Sequence, residues 1–263
     1  MHRIGINRGR VALRNGSQTS RRGGIAVPES PPPAITRTLD FQPSVNGFAF
    51  PNALSGPDVT VTVPLAGRLS IGDASNGVCG GMVFATCDYF EAGQPIPGGA
   101  VPPAAGSPLY TMITSRLIDS FNIPAGIAQY LRWMAAPDRS TGLLWWRRRG
   151  IGEMTVADQL PTVRATLDAG HPCPLGLVTV SGIDPRTLGA NHVVLAYGYR
   201  LEDSGELTLR VYDPNSPGRD DIELSMNIAT PAAGLPIRHN LGIAHPVRGF
   251  FAVTYSARVP AAV

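Results

Sequence analysis

An α+β protein with an antiparallel sheet is predicted for this chain of 263 residues by two observations. Apolar side chains recur at helical spacing in several stretches between residues 79 and 170, whereas the last third carries the period-two alternation of strands. Helices grouped ahead of a β-rich half indicate segregated layers rather than a parallel βαβ arrangement. With 43% hydrophobic residues, the chain is long enough for one good-sized core.

Taken in order, the elements follow from local chemistry. Phe41 to Asn52 reads as an extended lead-in, and Val59-Thr-Val-Thr-Val63 alternates β-branched residues like a half-buried strand. Gly67 to Gly77 is turn-rich and leads into the first helix, where Met82, Ala85, Thr86, Tyr89 and Phe90 share helical spacing before Gly93 and Pro95 stop it. A Pro/Gly/Ala-rich loop from Gly93 to Gly106 precedes helical stretches at Leu109 to Phe121 and Ile127 to Met134. In Leu143-Leu-Trp-Trp-Arg-Arg-Arg149, one tryptophan is expected in the core and the arginines in water. Thr155 with Asp158 resembles an N-cap arrangement, Pro161 is expected to break or kink the helix that follows, and Gly170 to end it. Strands are predicted at Leu175 to Val180, His192 to Arg200, Leu207 to Asp213 and Phe250 to Tyr255.

Charge is distributed unevenly. All 22 basic residues are arginine, and seven of them lie in residues 1–38 against the single acid Glu29, so the rest of the chain carries a net −3 within a total of +3. Rich in Gly, Ser and Pro and without apolar periodicity, residues 1–38 are predicted to be a disordered tail, with residues 39–263 forming a single domain. No aromatic residue is interleaved with these arginines, as single-strand nucleic-acid recognition would favour, so a solvated leader is the preferred reading over a nucleic-acid arm. No apolar run approaches the ~20 residues that cross a bilayer. The first thirty residues lack a secretory apolar core, and a cytoplasmic location is expected. Cys79, Cys87 and Cys173, odd in number and scattered, suit a reducing compartment. Internal repeats, a phosphate-binding glycine loop and paired Cys-x-x-Cys are lacking, and no cofactor or metal is expected.

Chemistry concentrates on three residues. Cys79 stands at a helix start, where unpaired N–H groups favour a thiolate. On the strand from His192, the histidine shares a face with Val194, Ala196 and Gly198, small residues against which a helix can pack closely. Asp213 ends the apolar stripe Leu207, Leu209, Val211. A hairpin with the four-residue loop Leu201 to Ser204 sets His192 opposite Asp213. The tighter loop Asp203-Ser204-Gly205 moves the partner about 10 Å along the strand, which is expected to break the pair. Both registers remain open at this level. His171-Pro-Cys173 could recruit a metal with Cys79 or His192, although proline between the ligands disfavours it. Ser75 misses the Gly-x-Ser-x-Gly spacing of a serine nucleophile.

Cys79-Gly80 opening a small-residue helix, His192-Val-Val-Leu-Ala-Tyr-Gly-Tyr199 and Tyr212-Asp-Pro214 together resemble the papain-like cysteine peptidase superfamily, particularly the bacteriocin leader-processing (double-glycine) peptidase domains. The chain is also similar, from Gly47 to Asn215, to a set of uncharacterised microbial proteins with Gly-Phe-x-Phe-Pro-Asn, Cys-Gly-Gly-Met and Asn-His-x-Val-Leu-Ala-Tyr-Gly-Tyr motifs. The superfamily resemblance implies an N-terminal helical part, with the nucleophile at a helix start, packed on a C-terminal antiparallel sheet. It implies Cys79 as nucleophile, His192 as general base then acid, Asp213 as the residue orienting the imidazole, and a peptide or amide substrate, with Asn215 kept as a secondary candidate for the third position.

A glutamine six residues before the cysteine is the usual oxyanion donor, but Asp73 stands there, leaving Asn76 and the Cys79 N–H as candidates. Loss of such a donor costs ~3 kcal/mol in barrier. A catalytically inactive papain-like module that binds a peptide or partner protein is therefore the alternative. An arginine-tailed nucleic-acid-associated protein is a third.

Overall fold

The computed structural model describes residues 34–54, 59–63, 67–71 and 77–260. Most of the predicted tail lies outside the described residues. Its last five residues do not: Ala34–Thr38 form strand β1, so folded structure starts ahead of the boundary predicted at residue 39. All five side chains are exposed, and the segment is held by backbone pairing, which leaves no apolar periodicity in the sequence.

Pro43–Asn46 is one helical turn, α1. Val59–Val63 (β2) and Gly67–Ile71 (β3) form an antiparallel hairpin, so the stretch expected to be turn as far as Gly77 is strand up to Ile71. Cross-strand pairing rather than local composition makes β3 a strand.

Cys79–Glu91 (α2) is buried from Cys79 through Tyr89, and Pro108–Ser120 (α3) packs against it. Ser107 caps α3 by accepting from the Tyr110 N–H at 3.3 Å, with proline following at the first helical position. The glycines after Cys79 permit the close approach of the two helices. A methyl on Gly81 would stand 2.2 Å from the Ile113 carbonyl oxygen, and one on Gly80 2.3 Å from Ser120 Oγ. Gly81→Ala is expected to lower stability by about 1–3 kcal/mol, because a clash with backbone outweighs the ~1 kcal/mol that alanine gains in helix propensity. Urea unfolding measures it; an unchanged or raised midpoint would show that α3 can move away.

Asp88 of α2 and Arg116 of α3 form a buried ion pair, Nε to Oδ2 2.8 Å. The C-terminal segment joins it: Asp88 Oδ1 accepts from Tyr255 Oη at 2.7 Å and the Arg258 N–H at 2.9 Å, while Arg116 Nη2 donates to the Ser256 carbonyl at 2.9 Å.

After Ala125–Met134 (α4), Thr141 and Arg148 exchange two backbone hydrogen bonds and close a short excursion. Trp145 and Trp146 are both 81% exposed on it, contrary to the expectation that one enters the core.

The next helix starts at Ile151 rather than Thr155. Ile151–Met154 (α5) passes through a π-helical turn, Thr155–Gln159, into Leu160–Asp168 (α6). Widening by that turn carries the chain past Pro161, whose ring supplies no N–H, so the helix continues without a break. Thr155 is not a cap: its Oγ1 donates to the Ile151 carbonyl and accepts from the Phe250 N–H.

The strands Cys173–Val178 (β4), His192–Glu202 (β5), Glu206–Tyr212 (β6), Glu223–Asn227 (β7), Arg238–His239 (β8) and Gly249–Ala252 (β9) form an antiparallel sheet in the order β8-β7-β6-β5-β4-β9. β1 and β4 share one side of β5, pairing with residues 198–202 and 192–196 respectively, while β6 takes the other side. At the β9 edge, Thr155 Oγ1 and Gln159 Oε1 accept from the N–H groups of Phe250 and Ala252 at 3.2 and 3.1 Å. Helical side chains thus cover hydrogen-bonding groups that an open edge would expose. The protein is α+β with an antiparallel sheet, and among the described residues no helix is long and apolar enough to cross a membrane.

Candidate active site

The start of α2 is set by its neighbours rather than by its own capping residue. Gly77 takes φ +58°, a left-handed turn suited to glycine, and Val78 follows at the N-cap with no side chain able to cap. Asn52 instead holds the N-cap residue itself: the Val78 N–H donates to its Oδ1 at 2.6 Å. Cys79 is then the first helical residue, 7% exposed.

His192 is placed by the loop ahead of β5. Asn191 Oδ1 accepts from the Thr179 N–H at 3.1 Å, its Nδ2 donates to the Leu188 carbonyl at 3.1 Å, and Thr179 Oγ1 donates to the Ala190 carbonyl at 2.7 Å. These bonds close the loop so that His192 enters the sheet opposite Leu177.

Asp213 arrives by an unexpected route. Leu201 pairs with Leu207 and Gly198 with Arg210, the tighter hairpin register that was expected to separate histidine from aspartate. Continued unchanged, that register would set Asp213 across from Leu195, on the face away from His192. A β-bulge at Tyr197 intervenes, so Ala196 pairs with Val211 and Leu195 with Tyr212. In this shifted phase Asp213 falls across from Val194, on the His192 face and diagonal to the imidazole, within side-chain reach. His192 Nε2 and Asp213 Oδ1 are 2.7 Å apart. The bulge is pinned from outside the hairpin, since the Leu39 N–H donates to the Tyr197 carbonyl at 2.9 Å.

The carboxylate is fully buried and fixed by further donors: the Asn215 N–H to Oδ1 at 2.9 Å and the Gly242 N–H to Oδ2 at 2.8 Å. Burial works against its charge, but the His192 hydrogen bond and charge, with these two N–H groups, hold its pKa below the ordinary value. Burial likewise opposes ionisation of Cys79. The His192 charge and hydrogen bond, together with the Val193 and Gly80 N–H groups, outweigh it and lower the thiol pKa. His192 moves oppositely: burial favours the neutral ring, yet the Cys79 charge and the Asp213 hydrogen bond raise its pKa. With Nε2 engaged by Asp213, Nδ1 is the nitrogen left for the sulfur. The three residues lie in series, thiol to imidazole to carboxylate, each favouring the charged form of its neighbour.

The other cysteines differ. Burial pushes Cys87 well above its ordinary range and Cys173 up to about 12. His171 bonds Glu91 at 3.0 Å, and Cys173 pairs with Ala196, four residues or about 13 Å along the sheet from His192. The suspected metal grouping is therefore not assembled, and among the described residues no cluster of three or more His, Cys, Asp or Glu could hold a metal ion. Asp73, Ser75 and the oxyanion candidate Asn76 lie outside the described residues.

A cleft of about 420 Å³ opens beside the imidazole, lined by Asn52, Gly77, Thr179, Asn191, His192, Asn215 and His245 among others. Asn52 and His245 were not singled out from the sequence. Asn52 had a signal in the motif Phe50-Pro51-Asn52, an amide-bearing residue directly after a proline, whereas nothing local marks His245. No family model, curated protein or solved structure matches this chain.

Proposed function

We propose that this protein is a thiol-dependent hydrolase of papain-like type, a peptidase or amidase working through an acyl-enzyme on Cys79. The observation that carries this reading is the Cys79, His192, Asp213 series, in which a buried thiol is pulled toward ionisation by an imidazole that is itself held by a buried carboxylate.

The thiolate attacks the substrate carbonyl carbon, moving the C=O electron pair onto oxygen. Collapse of that oxyanion expels the amine, which takes its proton from the His192 imidazolium. Neutral His192 then removes a proton from water as it attacks the thioester. The acid leaves and the thiolate and imidazolium are restored. Asp213 holds the imidazole ring and its charge throughout. The Cys79 N–H, at the first helical position and free of helical partners, is a donor for the oxyanion.

Iodoacetamide at pH 6 is expected to alkylate Cys79 ahead of Cys87 and Cys173, because only its pKa is lowered while burial raises the others. An N-acyl amino-acid p-nitrophenyl ester is expected to leave an acyl adduct on Cys79, detected by mass and missing in Cys79→Ser. Equal labelling of the three thiols with no adduct would overturn the proposal. A selectively reactive thiol that acylates but never turns over would favour the inactive peptide-binding module.

A further inference from the structure

We propose that Asn52 is a positioning residue whose side-chain amide ties the nucleophile's helix to the segment that orients the imidazole. The inference rests on the thiol-hydrolase reading and deepens it. Asn52 Oδ1 accepts from the Val78 N–H at 2.6 Å, one residue before Cys79. Its Nδ2 donates to Asn215 Oδ1 at 2.9 Å, and its own N–H donates to the Pro214 carbonyl at 3.1 Å. The Asn215 N–H in turn donates to Asp213 Oδ1, the oxygen that meets His192 Nε2. A circuit therefore closes: Cys79, Val78, Asn52, Asn215, Asp213, His192 and back to the sulfur.

Two elements far apart in sequence, α2 and the turn after β6, meet at this amide. Neither holds the other covalently, so the amide adds a polar tie to the direct packing of α2 on β5, the strand that carries His192. The amide presents its acceptor and its donor on separate atoms, one to each segment, whereas an ionised aspartate would present an acceptor to the Asn215 oxygen. Gly77 is shaped around the same group, since a methyl there would stand 2.3 Å from Asn52 Nδ2. Among the described residues, Tyr130 of α4 also feels the sulfur, and its hydroxyl pKa is raised by burial and by the Cys79 charge. His245 lines the same cleft as His192.

The test is the pH profile of Cys79 alkylation by iodoacetamide in wild type, Asn52→Ala, Asn215→Ala and the double variant, with thermal unfolding of each. Loosening the bridge weakens the thiolate–imidazolium contact, so each single variant is expected to shift the profile to higher pH and slow alkylation at pH 6 by about threefold, less than loss of the imidazole itself. The double variant should be no worse than either single one, because both remove one bridge. Additive shifts in the double variant would overturn the proposal, and so would unshifted profiles in variants whose melting temperatures fall, since the amide would then serve stability alone. A wild-type Cys79 with no low-pH reactivity would instead remove the hydrolase reading itself, and with it this inference.

Discussion

His192→Ala is expected to slow alkylation of Cys79 at pH 6 by at least about tenfold, because an adjacent opposite charge changes a group's ionised population by roughly tenfold to a thousandfold. In wild type, burial raises the thiol pKa, and the imidazolium together with the Val193 and Gly80 N–H groups more than reverses it. Without the ring, burial faces only the Val193 and Gly80 N–H groups, and the thiol rises. A higher pKa also makes the remaining thiolate intrinsically more nucleophilic, with a Brønsted slope of about 0.4–0.5, so the loss in rate is smaller than the loss in thiolate. The sign is fixed by that inequality: below the thiol pKa the fall in population wins. Asp213→Ala should act in the same direction but less, since the imidazole remains and loses only the carboxylate that raises its own pKa. Measured from pH 5 to 9, superimposable profiles for wild type and a folded His192→Ala protein would dissolve the ion pair.

Asp88→Ala is expected to lower stability by about 3–5 kcal/mol, the usual effect of stranding one member of a buried ion pair. For a domain of this size that corresponds to a melting temperature lower by about 10 °C. Asp88 gathers Arg116, the Tyr255 hydroxyl and the Arg258 N–H at one carboxylate, so its loss also frees the C-terminal segment from α2. Arg116 keeps Asp119 at 2.8 Å and the Ser256 carbonyl, which sets the effect toward the lower end of the range. Asp88→Ala/Arg116→Met should recover part of the loss by removing the uncompensated charge. A shift under 2 °C in a scanning experiment would show that water enters and solvates Arg116.

Much of the candidate site was legible as local pattern. A cysteine opening a small-residue helix, a histidine on the small face of a strand and an aspartate ending an apolar stripe are each visible within a few residues. Burial follows such patterns because helical and strand periods set which side chains turn inward. Of the missed strands, β7 carried a legible alternation, with Leu224 and Met226 buried between more exposed neighbours, whereas β1 and β8 are of a different kind. β1 shows only exposed side chains and β8 is two residues long, so backbone pairing, which leaves little trace in side-chain type, is what makes them strands. One tryptophan was misplaced because apolarity argues for burial, whereas both are exposed on the excursion that the Thr141 and Arg148 pairing closes.

By itself the sequence determined the α+β class, the helix start at Cys79, and the faces on which His192 and Asp213 lie within their strands. Whether those faces coincide was decided by tertiary structure. The tight turn after Glu202 would have put Asp213 behind the sheet, and one extra residue at Tyr197, held by the Leu39 N–H from a segment far away in the chain, returned it to the front. A period of two makes a single residue enough to invert a strand, and where that residue is inserted depends on partners that no local pattern contains. The same holds for Asn52, whose two side-chain bonds reach 26 and 163 residues along the chain. Hydrogen bonds of that span exist only once the fold has brought their ends together.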